Sequence, residues 1–249
     1  MALDLLDLRD FAILLDVDGT ILDIAETPHE VYVPETLLQT LARVRKRAGG
    51  ALALVSGRPL GNIDLLFAPL RLPAIGGHGA ELRPDPEGNS FEQRATFLDR
   101  ELKRRLMDIA TRFKGVGVED KGYSVALHYR LALEHGLDVV DAVFRVCKEF
   151  PPESFELLTG KAVIEVKTVG FDKGTAVREL MTYPPFTGRA PIFIGDDTTD
   201  EAAFAVVPEF EGLAISVGRK VPGVDGRFQS PSDVRQWLER ISQDAVVPS

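Results

Sequence analysis

Cysteine is almost absent from this chain: Cys147 stands alone among 249 residues. An intrachain disulfide and a cysteine-based metal cage are both excluded. No apolar run approaches the roughly 20 residues that cross a bilayer. The N-terminus places Asp4 and Asp7 where a signal peptide would carry basic residues. Positive charge is also in short supply, with 29 Lys and Arg against 38 Asp and Glu and a net charge of -9. Such a balance repels a phosphate backbone and argues against a general nucleic-acid binder. Otherwise the composition is that of a globular protein, 45% apolar and 27% charged. The expectation is a cytoplasmic protein whose partner is neither membrane nor nucleic acid.

Apolar residues are grouped in two ways. Phe11 to Leu15, Ala51 to Val55, Pro191 to Ile194 and Leu213 to Val217 are short, continuously apolar runs, as suits strands covered on both faces of a parallel sheet. Helical patterns lie between them. Pro34 to Arg47 carries Leu37, Leu38, Leu41 and Val44 on one stripe, with Pro34 expected at the first helical position. Asp172 is placed to cap a helix through Met181, and Pro231-Ser232-Asp233 another through Ile241. The middle is different. A charged helix is expected over about 97–113 and a second near 137–150. Tyr123 to Arg130 and Ala162 to Thr168 alternate polar with apolar, as half-covered strands do. The fold class is therefore α/β. A Rossmann-like, mainly parallel sheet core is expected from 1–89 and 171–249, with a smaller α+β domain inserted over 90–170.

Functional groups in parallel sheets gather beyond the carboxyl ends of the strands, and four strings fall there. Asp16-Val17-Asp18-Gly19-Thr20 follows the first strand. Two unpaired carboxylates there would be costly to bury, and a divalent cation would offset the cost. Ser56-Gly57-Arg58 follows the second strand and offers a hydroxyl and a backbone N–H to a phosphoryl oxygen. Lys173 opens a helix and offers a point charge. Gly195 to Glu201 carries four acids in six residues, which a cation would again reconcile. Singly, each has a plain reading: an Asx turn, a common turn, a solvated lysine, an acid-rich helix start. Hard oxygen ligands with no His/Cys cluster select Mg²⁺.

In this order the four strings resemble the haloacid-dehalogenase-like phosphatases, and the likeness covers nearly the whole chain. It implies Asp16 as nucleophile and Asp18 as general acid and base, with Thr20 in support. Ser56, Gly57 and Lys173 would bind phosphate. Mg²⁺ would be held by Asp16, the Asp18 carbonyl and Asp196; the acidic string itself puts Asp197 and Asp200 on the metal or beside its ligands, with Asp200 bonding Lys173. The insert would be the substrate-recognising cap. Glu119-x-Lys121-x-x-Ser124, His128-Tyr129-Arg130, Gly160-Lys161, Glu165 and Gly77-His78-Gly79-Ala80-Glu81 further resemble the trehalose-6-phosphate phosphatases. That resemblance implies Glu119, Lys121 and Glu165 as sugar ligands, and places Arg58, Arg130 and Lys161 in the substrate site; His128 either joins them or orients a neighbour, and His78 has a loop-supporting role as its plain reading. Gly218-Arg219-Lys220 departs from the Thr/Ala-rich stretch expected there. The expected partner is a small sugar phosphate. The alternatives are another sugar phosphate, such as a sucrose or mannosylglycerate ester, a phospho-accepting signalling module, or a non-catalytic sugar-phosphate binder. Oligomeric state is not legible.

Overall fold

The computed structural model describes residues 7–24, 31–88, 92–160 and 162–243. Among these, 7–24, 31–92 and 172–243 form one compact unit and Gln93–Phe171 a second.

The first unit is a sandwich. Its strands are β1 (Phe11–Leu15), β2 (Leu52–Val55), β3 (Ala74–Gly76), β4 (Glu81–Arg83), β5 (Glu92–Gln93), β10 (Ala190–Gly195), β11 (Leu213–Val217) and β12 (Gly226–Phe228), ordered β12-β11-β10-β1-β2-β3-β4-β5. All neighbours from β12 to β3 pair in parallel; β3 and β4 pair antiparallel. The continuous apolar runs follow from cover on both faces. Ile13, Leu15, Leu52 and Leu54 pack with Leu41, Ile63 and Trp237 from α1 (Glu35–Arg47), α2 (Leu60–Phe67) and α7 (Pro231–Ser242). The alternate residues Ala12, Leu14, Ala53 and Val55 pack with Val177, Leu180 and Phe204 from α5 (Lys173–Leu180) and α6 (Glu201–Val206). Pro34 is the residue before α1 rather than its first, with an extended ψ of 140°. Ser230 caps α7 through the Asp233 N–H, leaving Pro231 the first-turn place that needs no donor.

The second unit is a four-stranded antiparallel sheet, β6 (Gly117–Asp120), β7 (Ser124–His128), β8 (Phe155–Gly160) and β9 (Val163–Thr168), ordered β6-β7-β9-β8. Helices α3 (Arg100–Ala110) and α4 (Gly136–Cys147) cover one face. Val125 and Leu127 of β7 lie opposite Val166 and Ile164 of β9 and face these helices. The other face is polar, but it is not the solvated face that alternation suggests. Ser124, Ala126, Glu165 and Lys167 are all buried, and the charged pair is neutralised locally: Lys167 Nζ reaches Glu156 Oε2 at 2.9 Å and donates to the Phe171 carbonyl at 2.6 Å. Among the described residues no helix is long and apolar enough to cross a membrane.

Candidate active site

β1 is the switch point of the large sheet, with β2 on one side and β10 on the other. At such a point the following loops diverge and leave a crevice beyond the strand ends. Asp16 follows β1, Ser56 follows β2 and Asp196 follows β10. The Asp16 N–H donates to the Ile194 carbonyl at 2.9 Å, so the ladder that aligns β1 with β10 also sets the first acid.

The loop after β1 is closed by Gly19, whose N–H donates to the Leu22 carbonyl at 2.8 Å and whose φ is +81°. A Cβ at this position would lie 2.2 Å from Asp196 Oδ2. Only glycine permits both the turn and the approach of the second acid. Gly195 has a like role, because a Cβ there would sit 2.4 Å from Asp200 Cγ. One carboxylate oxygen from each of Asp16, Asp196 and Asp200 can be chosen so that all three lie within 4.8 Å of one another.

Asp16 is held at both oxygens. Lys173 Nζ donates to its Oδ1 at 2.7 Å and Thr20 Oγ1 to its Oδ2 at 2.9 Å. Lys173 is the first residue of α5, whose N-terminus Asp172 caps reciprocally with Thr175. Its ammonium also donates to Asp200 Oδ1 at 2.6 Å. Asp200 Oδ2 accepts from the Asp197 N–H at 2.9 Å. Burial pushes the Asp16 carboxyl well above the usual carboxylate range, and Asp200 and Asp196 add to this against the pull of Lys173. Burial acts to lower the Lys173 ammonium, but Asp16 and Asp200 outweigh it and hold it above its ordinary value. Asp16 and Asp200 share Lys173, Asp196 lies within reach of both acids, and all the donors are hard oxygens. Those features fit a divalent cation of the Mg²⁺ or Ca²⁺ kind.

The carboxylates of Asp18 and Asp197 do not join that cluster. The Asp18 carboxylate is gripped by Arg58, Nε to Oδ2 at 2.6 Å and Nη2 to Oδ1 at 2.7 Å. Asp197 turns its Oδ1 to the Thr198 N–H at 2.7 Å and so caps the short turn that leads into α6. A carboxylate used as an N-cap is satisfied where it stands. Ser56 is buried; its Oγ accepts from the Arg58 N–H at 3.1 Å, and its carbonyl accepts from the His78 N–H at 3.0 Å. The imidazole of His78 lies against Gly57, where a Cβ would meet it at 2.4 Å. Glu81 Oε2 accepts from the Leu60 N–H at 2.7 Å, at the start of α2. The Gly-His-Gly-Ala-Glu string thus braces the loop after β2.

In the second unit the register gathers the other expected residues. Glu119 lies opposite Ala126, and Ala126 opposite Glu165. Glu165 Oε1 accepts from Ser124 Oγ at 2.5 Å and from Lys121 Nζ at 3.1 Å. Glu119 Oε2 lies 3.4 Å from His128 Nε2 and 3.9 Å from Lys121 Nζ. Burial works to raise the Glu119 carboxyl, but His128 and Lys121 outweigh it and hold it below its usual value. Ser124 is the member of this group that pattern alone did not single out as a site residue. Arg130 is half-buried at the start of a 3-10 turn, Arg130–His135. Lys161 lies outside the described residues.

Comparison with known proteins follows the same lines. The C-terminal domain of the C. albicans trehalose-6-phosphate phosphatase shares the fold, with a TM-score of 0.82, 20% identity and coverage of 94% of this chain and 92% of that one. A phosphatase of the haloalkanoate (HAD) enzyme superfamily from Bacteroides thetaiotaomicron also shares it, with a TM-score of 0.57, 15% identity and coverage of 90% and 91%. A Sinorhizobium fredii protein described as "Probable trehalose-phosphate phosphatase" is 42% identical over 226 residues, 91% of this chain and 84% of the relative. The Escherichia coli K12 "Trehalose-6-phosphate phosphatase" is 36% identical over 232 residues, 93% of this chain and 86% of the relative. The family model for trehalose-phosphatase matches residues 14–236, from within β1 to within α7, and the chain belongs to that family.

Proposed function

We propose that this chain is a phosphatase that hydrolyses trehalose 6-phosphate to trehalose and phosphate. The observation that carries the reading is the meeting of Asp16 with Lys173, 157 residues away, at the switch point of the sheet. Family membership and the named relatives support the substrate.

In this reading an Asp16 oxygen attacks phosphorus in line and forms an aspartyl-phosphate. Asp18 gives a proton to the departing sugar oxygen, then takes one from the water that hydrolyses the intermediate. Covalent catalysis splits one slow displacement into two faster ones. Lys173 fixes the nucleophile's direction, and with the Ser56 hydroxyl and the Gly57 N–H offers donors to the phosphoryl oxygens. Asp16, the Asp18 carbonyl and Asp196 would hold a divalent cation, Mg²⁺ in this reading, and Asp200 would orient Lys173. When bound, that cation neutralises charge building on the phosphoryl group. Asp18 must be released from Arg58 to move a proton, and an arriving phosphate dianion is a strong competitor for that guanidinium.

The second unit is the proposed sugar-recognising cap. Its polar sheet face offers Glu119, Lys121, His128 and Glu165, with Arg130 and Lys161 in the same role. A site built from buried hydrogen-bonding groups rejects analogues that leave them unpaired. A cytoplasmic location belongs to the same reading, because a charged ester does not cross an apolar bilayer unaided.

The test is phosphate release from trehalose 6-phosphate, glucose 6-phosphate, sucrose 6-phosphate and a mannosylglycerate phosphate, with and without Mg²⁺. Trehalose 6-phosphate should be turned over fastest, and only with the metal. Equal rates for glucose 6-phosphate would remove the substrate assignment. A lasting phosphoprotein without turnover would replace it with a signalling module.

A further inference from the structure

The reaction as proposed gives Arg219, in the segment after β11, no task. β11 runs beside β10 with Ser216 opposite Gly195. The chain turns at Gly218, whose N–H donates to the Phe228 carbonyl at 3.0 Å. The Arg219 backbone is tied on both sides: its N–H donates to the Val217 carbonyl at 2.8 Å, and its carbonyl accepts from the buried Ser216 Oγ at 3.0 Å. From that anchored base the guanidinium reaches the acidic loop. Nε donates to the Asp196 carbonyl, and Nη2 donates to the Asp197 carbonyl and to Glu201 Oε1, each at 2.8 Å.

We propose that Arg219 is a positioning residue that sets the direction of the Asp196 carboxylate toward the divalent cation. This rests on reading the Asp16–Asp196 cluster as the metal site. The peptide joining Asp196 to Asp197 is held at both ends. Its carbonyl accepts from Arg219, and its N–H donates to Asp200 Oδ2, which belongs to the carboxylate that binds Lys173. The next carbonyl is held by the same rigid fork. With the preceding residue fixed in β10, the backbone on both sides of Asp196 is determined, and the carboxylate is aimed before any ion arrives. A planar guanidinium suits this task because one group spans two successive carbonyls; an ammonium is a single point of charge.

The sign of the effect separates this from simple electrostatics. A guanidinium near a cation site repels the cation, so removing it for charge alone would tighten metal binding. Loss of an aiming device weakens binding, by about 10- to 100-fold for groups that orient metal ligands.

The experiment is calorimetric titration of the full chain with MgCl₂, with metal-free melting recorded on the same samples. Arg219→Ala should weaken Mg²⁺ binding by about 10- to 100-fold. Arg219→Lys, which keeps the charge and loses the fork, should weaken it by about tenfold or more. Glu201→Gln still accepts from Nη2 and should stay within about fivefold of the wild type. A folded Arg219→Ala that binds Mg²⁺ as tightly as the wild type, or more tightly, overturns the proposal. If that variant does not fold, Arg219→Lys decides alone, and unchanged affinity overturns it. A wild-type chain that takes up no Mg²⁺ is a different failure: it removes the metal-site reading, and the aiming role with it.

Discussion

Two clusters of buried charge occupy the two units, and they are balanced differently. At the strand ends of the large sheet, Asp16, Asp196 and Asp200 gather, and Lys173 pairs with Asp16 and Asp200. On the polar face of the small sheet, Glu165 is met by Lys121 and Ser124, and Glu119 by Lys121 and His128. In the first cluster burial raises the Asp16 carboxyl, and the neighbouring Asp200 and Asp196 add to it. The second holds its carboxylates with donors from neighbouring strands, and Glu119 is lowered rather than raised. The same residue types therefore serve two ends. An acid-rich cluster stores a demand for a cation. In the proposed reading, the second network presents groups that a sugar would match by exchanging like for like, which makes for selectivity more than for rate.

The strongest way to break this contrast is Asp16→Asn. It should leave a folded protein whose phosphate release falls by about 10⁴-fold or more. Wild-type turnover in that variant would end the covalent mechanism. Removal of divalent metal by EDTA comes next. Activity should fall to background and return with MgCl₂, and saturating metal should raise the melting temperature, by an amount equivalent to about 2.7 kcal/mol at 100 times Kd. A metal-independent rate would show that Lys173 alone balances the cluster.

Glu165→Gln probes the second cluster. Losing a charge-assisted partner of Lys121 and Ser124 should lower kcat/KM for trehalose 6-phosphate by about 10- to 100-fold. Turnover of a small aryl phosphate, which offers no sugar hydroxyls, should change little. An equal loss on both substrates would place Glu165 in the fold rather than in recognition.

The smallest effect is in pH. Without divalent metal, the raised Asp16 carboxyl binds its proton more tightly in the folded than in the unfolded chain. Its favourable contribution is complete below the unfolded carboxylate pKa of about 4 and is lost as pH rises through the folded value. Melting temperature in EDTA should therefore fall as pH rises across that window. Asp16→Asn or added Mg²⁺ should flatten the dependence.

Much of the fold was legible because burial on both faces leaves an unmistakable mark. The runs at Phe11 to Leu15 and Leu213 to Val217 fall in strands that each have helices on two sides. β6 and β8 were not legible, since Gly117–Asp120 is mostly exposed and Phe155–Gly160 alternates only weakly. Their strand character comes from pairing with β7 and β9. In the site, the acids could be named from sequence but not aimed. Asp18 turning to Arg58 depends on a partner 40 residues away, and Asp197 turning back to cap the short turn before α6 depends on loop conformation. Sequence marks Arg219 only as part of a departure from an expected stretch, because two of its partners are backbone carbonyls, which every residue has, and the third, Glu201, is 18 residues away.

The strand order also bears on how the chain is made. β1 has β10 as one neighbour, and β10 begins only at Ala190. At a synthesis rate of about 5–20 residues per second, β1 waits roughly 10–35 s on the ribosome before that neighbour emerges. During this interval one of its edges lacks its native partner, which arrives only with the last quarter of the chain.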